Sequence, residues 1–124
     1  MKKLLVIILI LIIIMVASCQ EIMNKALSHI DENPIVNVAD VNDGSYIGKA
    51  ETPLVNVEVN VSVKDKRIID IVLLRHDNGK GKNAEAMIPE MIKNNTSEVD
   101  IVSGATLSSK VIRAAVRNAL SQGI

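Results

Sequence analysis

The 124-residue chain balances 14 basic against 14 acidic residues and holds one aromatic side chain, Tyr46, with no Phe or Trp. No basic stripe and no stacking platform follow from that composition, which excludes nucleic acid as a partner: tracking phosphates takes clustered Lys and Arg, and holding bases takes aromatic faces. One cysteine and two histidines give neither a disulfide framework nor a metal site with zinc-ligand spacing.

Lys2 and Lys3 precede an uninterrupted apolar run over residues 4–16, followed by Ala17, Ser18 and the only cysteine, Cys19. A charged start, an apolar middle and small residues at the end are the secretory pattern, and the run falls short of the roughly 20 residues that cross a bilayer comfortably. Val16-Ala17-Ser18-Cys19 resembles a bacterial lipobox, and the resemblance implies cleavage before Cys19 and lipidation of its thiol. That would also remove a lone exposed thiol, and two or more acyl chains anchor stably where one binds marginally. Residues 1–18 are therefore read as a lipoprotein signal peptide, with the mature protein lipid-anchored on the extracytoplasmic side of the bacterial cell membrane. Losing Lys2 and Lys3 leaves 12 basic against 14 acidic residues, a net charge of about −2. The competing reading is an uncleaved anchor with a buried cysteine.

Residues 19–42 read as a linker with a short helix, because Ile22, Met23, Ala26, Leu27 and Ile30 recur at helical spacing before Asp31-Glu32-Asn33-Pro34 breaks it. It serves either as a spacer off the membrane or as a flap on the domain, and residues 35–41 carry no clear pattern. The domain itself is placed at 43–124. Asp43-Gly44 marks a turn and residues 45–51 a first strand ending before Pro53. Val55, Val57, Val59, Val61 and Val63 alternate with polar residues, which puts the valines on one buried face of a second strand. Residues 68–75 form a nearly continuous apolar third strand, antiparallel to the second. Between them, Lys64-Asp65-Lys66-Arg67 lacks the glycine that a two-residue type I′ turn favours, so a longer or bulged loop is expected.

His76-Asp77-Asn78-Gly79-Lys80-Gly81-Lys82 reads as a glycine-punctuated loop. It leads to Ala84, Met87, Ile88, Met91 and Ile92 at helical spacing, with Pro89 forcing either a kink or a later helix start. From Ser108 onward, Val111, Ile112, Ala115, Val116, Ala119 and Leu120 form one helix face, Lys110, Arg113 and Arg117 a solvated one, and Gly123 a C-terminal stop. The elements add up to an α+β domain: a small twisted antiparallel sheet packed against two helices.

The last helix is preceded by Asp100-Ile101-Val102-Ser103-Gly104-Ala105-Thr106-Leu107-Ser108-Ser109, which sets a hydroxyl beside a glycine turn at a helix N-terminus. Unpaired N–H groups and the macrodipole favour a phosphate there, although Ser and Thr at such a position are also ordinary caps. The pattern D-x-x-S-G-A-T-x-S resembles the covalent attachment motif of the FMN-binding domain family, which includes the flavinylated subunits of sodium-pumping quinone reductases and related membrane electron-transport complexes. The resemblance extends through Asp43-Gly44-Ser45-Tyr46-Ile47-Gly48, the His76 and Gly79-Lys80-Gly81 region, and Val99-Asp100.

That resemblance implies FMN held covalently through a phosphoester to Thr106, installed from FAD by a separate flavin transferase. It implies that Ser103, Gly104, Ala105 and Leu107 wrap the phosphate and ribityl chain, with Ser108 or Ser109 donating hydrogen bonds as well as capping the helix. Asp100 becomes either part of the transferase recognition signal or a surface acid, and His76, Gly79 and Gly81 either approach the flavin or form a solvated loop. The expected function is a membrane-tethered electron carrier between a membrane electron donor and an extracytoplasmic acceptor, without a catalytic domain of its own. The alternatives are a module binding FMN or another small molecule reversibly, and a cofactor-free structural envelope lipoprotein.

Overall fold

A computed structural model describes residues 1–31, 33–77 and 82–124, with the side chains of residues 23, 26, 27, 29 and 31 left aside. Gly79 and Gly81 lie outside the described residues. Three strands, β1 (Gly44–Glu51), β2 (Asn56–Lys64) and β3 (Arg67–Asp77), form an antiparallel sheet in the order β1-β2-β3. Three helices accompany it: α1 (Lys2–Asp31), α2 (Met87–Asn94) and α3 (Thr106–Ser121). The class is α+β, as the sequence predicts.

The valine alternation does what its period demands. Val57, Val59 and Val61 are fully buried and Val55 and Val63 nearly so, all facing α3. That helix answers with Val111, Ile112, Ala115, Val116, Ala119 and Leu120, each without solvent exposure. One small residue sets the spacing. A Cβ on Gly48 of β1 would lie 2.0 Å from the Ala115 carbonyl oxygen and 2.6 Å from the Ala119 nitrogen, so only glycine admits the helix at this depth. The exposed edge of β1 is then covered by α3 side chains: Lys49 N–H donates to Asn118 Oδ1 at 3.1 Å, and Gln122 Nε2 donates to the Ile47 carbonyl at 2.6 Å. These two bonds cover the middle of the β1 edge.

The β2–β3 connection corrects one expectation. Lys64 pairs directly with Arg67, and Asp65 and Lys66 both take positive φ, 51° and 63°, as a type I′ turn requires. The missing glycine is compensated from outside the hairpin. Asp43 Oδ1 accepts from Asp65 N–H at 2.9 Å, while Asn95 receives Ile68 N–H on its Oδ1 at 2.7 Å and donates Nδ2 to the Lys66 carbonyl at 3.1 Å. The irregularity lies inside β3 instead. The register skips Ile69 and Leu74, both about half exposed, so each bulge turns an apolar residue outward. The second bulge also resets the alternation, and His76 rather than Arg75 follows Leu73 onto the inner side, opposite Val57.

Pro89 resolves as a late start: residues Lys82–Ala86 form a 3-10 helix and α2 opens at Met87, so the proline sits in the first turn, where its missing N–H costs no bond. Asn95 ends α2 in the left-handed region at φ 53°. Gly123 is no left-handed stop: the C-cap is Gln122 in the right-handed region, and Gly123 is required because a Cβ would lie 2.6 Å from both the Tyr46 ring and Val41 Cγ1.

At the other end, α1 is one continuous helix of 30 residues that runs through Cys19, where the sequence suggests a processed peptide and a separate short helix. Neither Gly nor Pro occurs before Pro34, and Ser18 returns its hydroxyl to the Ile14 carbonyl at 3.0 Å, so nothing interrupts the helical ladder. Its segment Lys2–Ile22 is long and apolar enough to cross a membrane, properties that a signal sequence shares, and is not buried against the domain. Cys19 is exposed. Ile30, Val36, Val38 and Val41, read from sequence as linker, are buried in the core, with Val38 in a 3-10 turn capped by Asn37 Oδ1.

Two substitutions test these constraints. Gly48→Ala is expected to cost at least about 3 kcal/mol of stability, because the added methyl meets backbone and not a movable side chain. Lys66→Gly is expected to stabilise by about 0.5–1 kcal/mol by removing a side chain from the left-handed region; the urea midpoints of both variants against the parent check the two signs.

Candidate functional site

The loop entering α3 is shaped by one tight turn. Ala105 N–H donates to the Val102 carbonyl at 3.0 Å, closing the turn Val102-Ser103-Gly104-Ala105, and Gly104 takes φ +82° at its third position. Positive φ there is the type II signature and strains any residue with a side chain. No atom lies within 4 Å of where a Gly104 Cβ would stand, so the glycine is needed for conformation and also leaves open space beside the helix start. Ser103, Gly104 and Thr106 are exposed, Leu107 is half-buried and Ala105 is buried.

Thr106 is the first residue of α3, following an N-cap, Ala105, that has no side chain able to cap. The two serines behind it do not cap either, which corrects the sequence reading. Ser109 is fully buried; its Oγ donates to the Ala105 carbonyl at 2.7 Å and accepts Val102 N–H at 3.1 Å, locking the loop to the first helical turn. Ser108 turns inward to His76, with Oγ 3.1 Å from Nε2. Among the described residues, no side chain therefore accepts from the helix-start N–H groups of residues 106–108. Unpaired donors at the positive end of the macrodipole make this an anion-receptive place, with an exposed hydroxyl on it.

His76 is not a loop residue. It belongs to β3, its side chain is 3% exposed, and its Nδ1 lies 3.5 Å from Glu85 Oε2.

The segment that carries the loop is held by two arginines expected on a solvated face. Arg117 is buried and pairs with Glu98 through both Nη2 and Nε, the latter at 3.0 Å, and Arg113 Nη2 donates to the Val99 carbonyl at 2.6 Å. Their i,i+4 spacing opposite an acidic stretch was the available signal, masked by the usual preference of arginine for water. Burial raises the Glu98 pKa, but hydrogen bonds from Arg117 and Ser97 and the charges of Arg117 and Arg113 outweigh it, holding the carboxyl below its ordinary 4.5.

Along the other side of this segment runs a groove of about 510 Å³, between α2 (Met87, Glu90, Asn94) and residues 98–102, including Val99, Ile101, Val102 and the exposed Asp100. Its size lies within the range of small-molecule sites, and its lining mixes apolar side chains (Met87, Val99, Ile101, Val102) with polar ones (Glu90, Asn94, Thr96, Asp100). The groove and Thr106 share the loop: Val102 lines one and is bonded to the turn that carries the other.

The FMN-binding domain family matches residues 36–121. The chain belongs to this family. Comparison with curated proteins finds no match. The matched region opens at Val36, itself a buried core residue, and closes with the end of α3. FMN-binding function therefore accompanies the fold, and the residues present fit the group: an open glycine turn and unpaired N–H groups for its phosphate, and a groove of mixed polar and apolar lining on the same segment for its ring.

The Glu98 arrangement sets an acid dependence. Because the folded-state pKa is lowered, its stabilisation is complete above the unfolded value of about 4.5 and is lost as pH falls through the lower folded value. Glu98→Gln is expected to be less stable than the parent at neutral pH, with the gap closing on acidification below about 4.5, as urea midpoints measured across that range would register.

Proposed function

We propose that the protein carries FMN in phosphoester linkage to Thr106 and works as an electron-transfer carrier outside the cytoplasm, held to the membrane through its N-terminal segment. The observation that carries this reading is the exposed Thr106 hydroxyl on the uncapped first residue of α3, beside a glycine whose φ is +82° and whose flank is open. A threonine with only a capping role would precede the helix as its N-cap; Thr106 instead lies one position inside, where its Oγ1 is not spent on the backbone.

Each residue then has a task. Gly104 allows the turn and keeps the approach to Thr106 clear. The N–H groups of Thr106, Leu107 and Ser108 would hold the phosphate, Ser103 borders it, and Ala105 seals the loop against the core. Asp100, exposed on the groove rim, supports a role in recognition by the flavin transferase that would modify Thr106. Met87, Val99, Ile101 and Val102 would exclude water from one side of the ring. FMN supplies one- and two-electron redox chemistry when bound; the chain supplies placement and shielding, in keeping with a carrier that exchanges electrons between a membrane donor and an extracytoplasmic acceptor. Covalent attachment retains the cofactor in a domain with no Phe or Trp to stack on the ring. For the anchor, either Lys2–Ile22 as a membrane segment or lipidated Cys19 gives the same topology.

Co-expression with a flavin transferase followed by intact-mass measurement tests the attachment. The parent is expected to gain one FMN-phosphoryl mass on the peptide containing Thr106, Thr106→Ala to gain none, and Ser103→Ala to gain it as the parent does. In-gel flavin emission that survives SDS accompanies the tether; emission lost on denaturation would replace it with reversible binding, and an unmodified parent would overturn the linkage.

A further inference from the structure

His76, Glu85 and Ser108 come from the end of β3, the 3-10 turn before α2 and the first turn of α3, and they meet with His76 and Ser108 buried and Glu85 partly exposed. The His76 side chain and Ser108 are each 3% exposed, and Ser108 Oγ is 3.1 Å from Nε2. At 3.5 Å the Glu85 carboxylate is longer than a well-formed hydrogen bond to Nδ1, so it acts through its charge, which favours the proton on Nδ1. Nε2 is then the acceptor and the Ser108 hydroxyl the donor.

We propose that His76 is a positioning residue for the modification of Thr106: it takes the Ser108 hydroxyl into the interior and so fixes the first turn of α3 against the sheet. This rests on Thr106 being the attachment residue. Ser108 lies two residues past Thr106 in the first turn of α3, so its bond to His76 ties that turn to the end of β3. The tie holds the N–H groups of residues 106–108 and the backbone of Thr106 in one place for a phosphate. The Leu74 bulge is what brings His76 to this side of β3, so the irregularity in the strand and the geometry of the helix start are one arrangement.

The test compares the parent, His76→Ala, Ser108→Ala and the double variant as full-length acceptors for purified flavin transferase with FAD. Incorporation is read as SDS-resistant emission at varied acceptor concentration, amide exchange of residues 109–112 is read in the unmodified proteins, and thermal unfolding confirms that each is folded. Each single variant is expected to lower kcat by about tenfold with KM little changed, as for a reacting group slightly misplaced. The double variant should be no slower than the worse single one, and exchange at 109–112, whose N–H groups close the first helical turn, should quicken in all three. Losses that multiply in the double variant, or an unchanged kcat in folded Ser108→Ala, would overturn the role. Should His76→Ala fail to fold, Ser108→Ala alone decides: slowed incorporation with faster exchange supports it, and parent-like values overturn it. An unmodified parent would instead remove the attachment at Thr106, so the two failures are told apart.

Discussion

At Gly48 of β1 and Ala115 of α3, two stretches of backbone come too close to admit a side chain between them, and the rest of the domain is arranged around that approach. With no side chain between them, the helix sinks far enough for Asn118 and Gln122 to satisfy the edge of β1 and for its alanines and valines to interlock with the valine face of β2. Dispersion forces fall steeply with separation, so a helix lifted by one methyl would loosen the contacts along its whole length. The depth of one glycine thus governs the packing of a core that has almost no aromatic bulk to spare.

The same helix carries the site at its other end. Because α3 is held rigidly along its inner face, the exposed loop at its start inherits a fixed position from Ser109, His76 and the Arg113 and Arg117 contacts to residues 98–99. A loop with an exposed glycine turn would by itself be mobile. Here its backbone is tied on both sides, which is the condition for presenting one hydroxyl and a few N–H groups in a constant geometry. Function and fold share the helix, with the reactive residue outside the buried face by a single turn.

What was legible in the sequence was mainly what depends on local period. The valines of β2 and the face of α3 were readable because alternation and helical spacing need no knowledge of neighbours, whereas the motif around Thr106 stood out by its resemblance to a family. Misreadings arose where a partner distant in sequence decides. Lys66 tolerates positive φ because Asn95 and Asp43 serve the turn; Arg117 is buried because Glu98 faces it; His76 lies inside because a bulge changes the phase of β3. Gly48 and Gly123 belong to the same class, since their need is for space against α3 and Tyr46, which no local pattern announces. The 510 Å³ groove was equally hidden, being assembled from α2 and a segment with no regular structure.

Tyr46 sits at the seam where the end of α3 meets the start of β1, its hydroxyl donating to the Asn42 carbonyl at 2.7 Å and its ring filling the space that Gly123 leaves. As the only aromatic residue, it is the polypeptide's sole near-ultraviolet chromophore. The protein is therefore nearly transparent where most proteins absorb, and that one phenol reports on a single joint. Light taken up in the visible belongs wholly to whatever the domain has bound, so cargo can be followed there without a label, while the phenol reports on the joint in the unloaded protein.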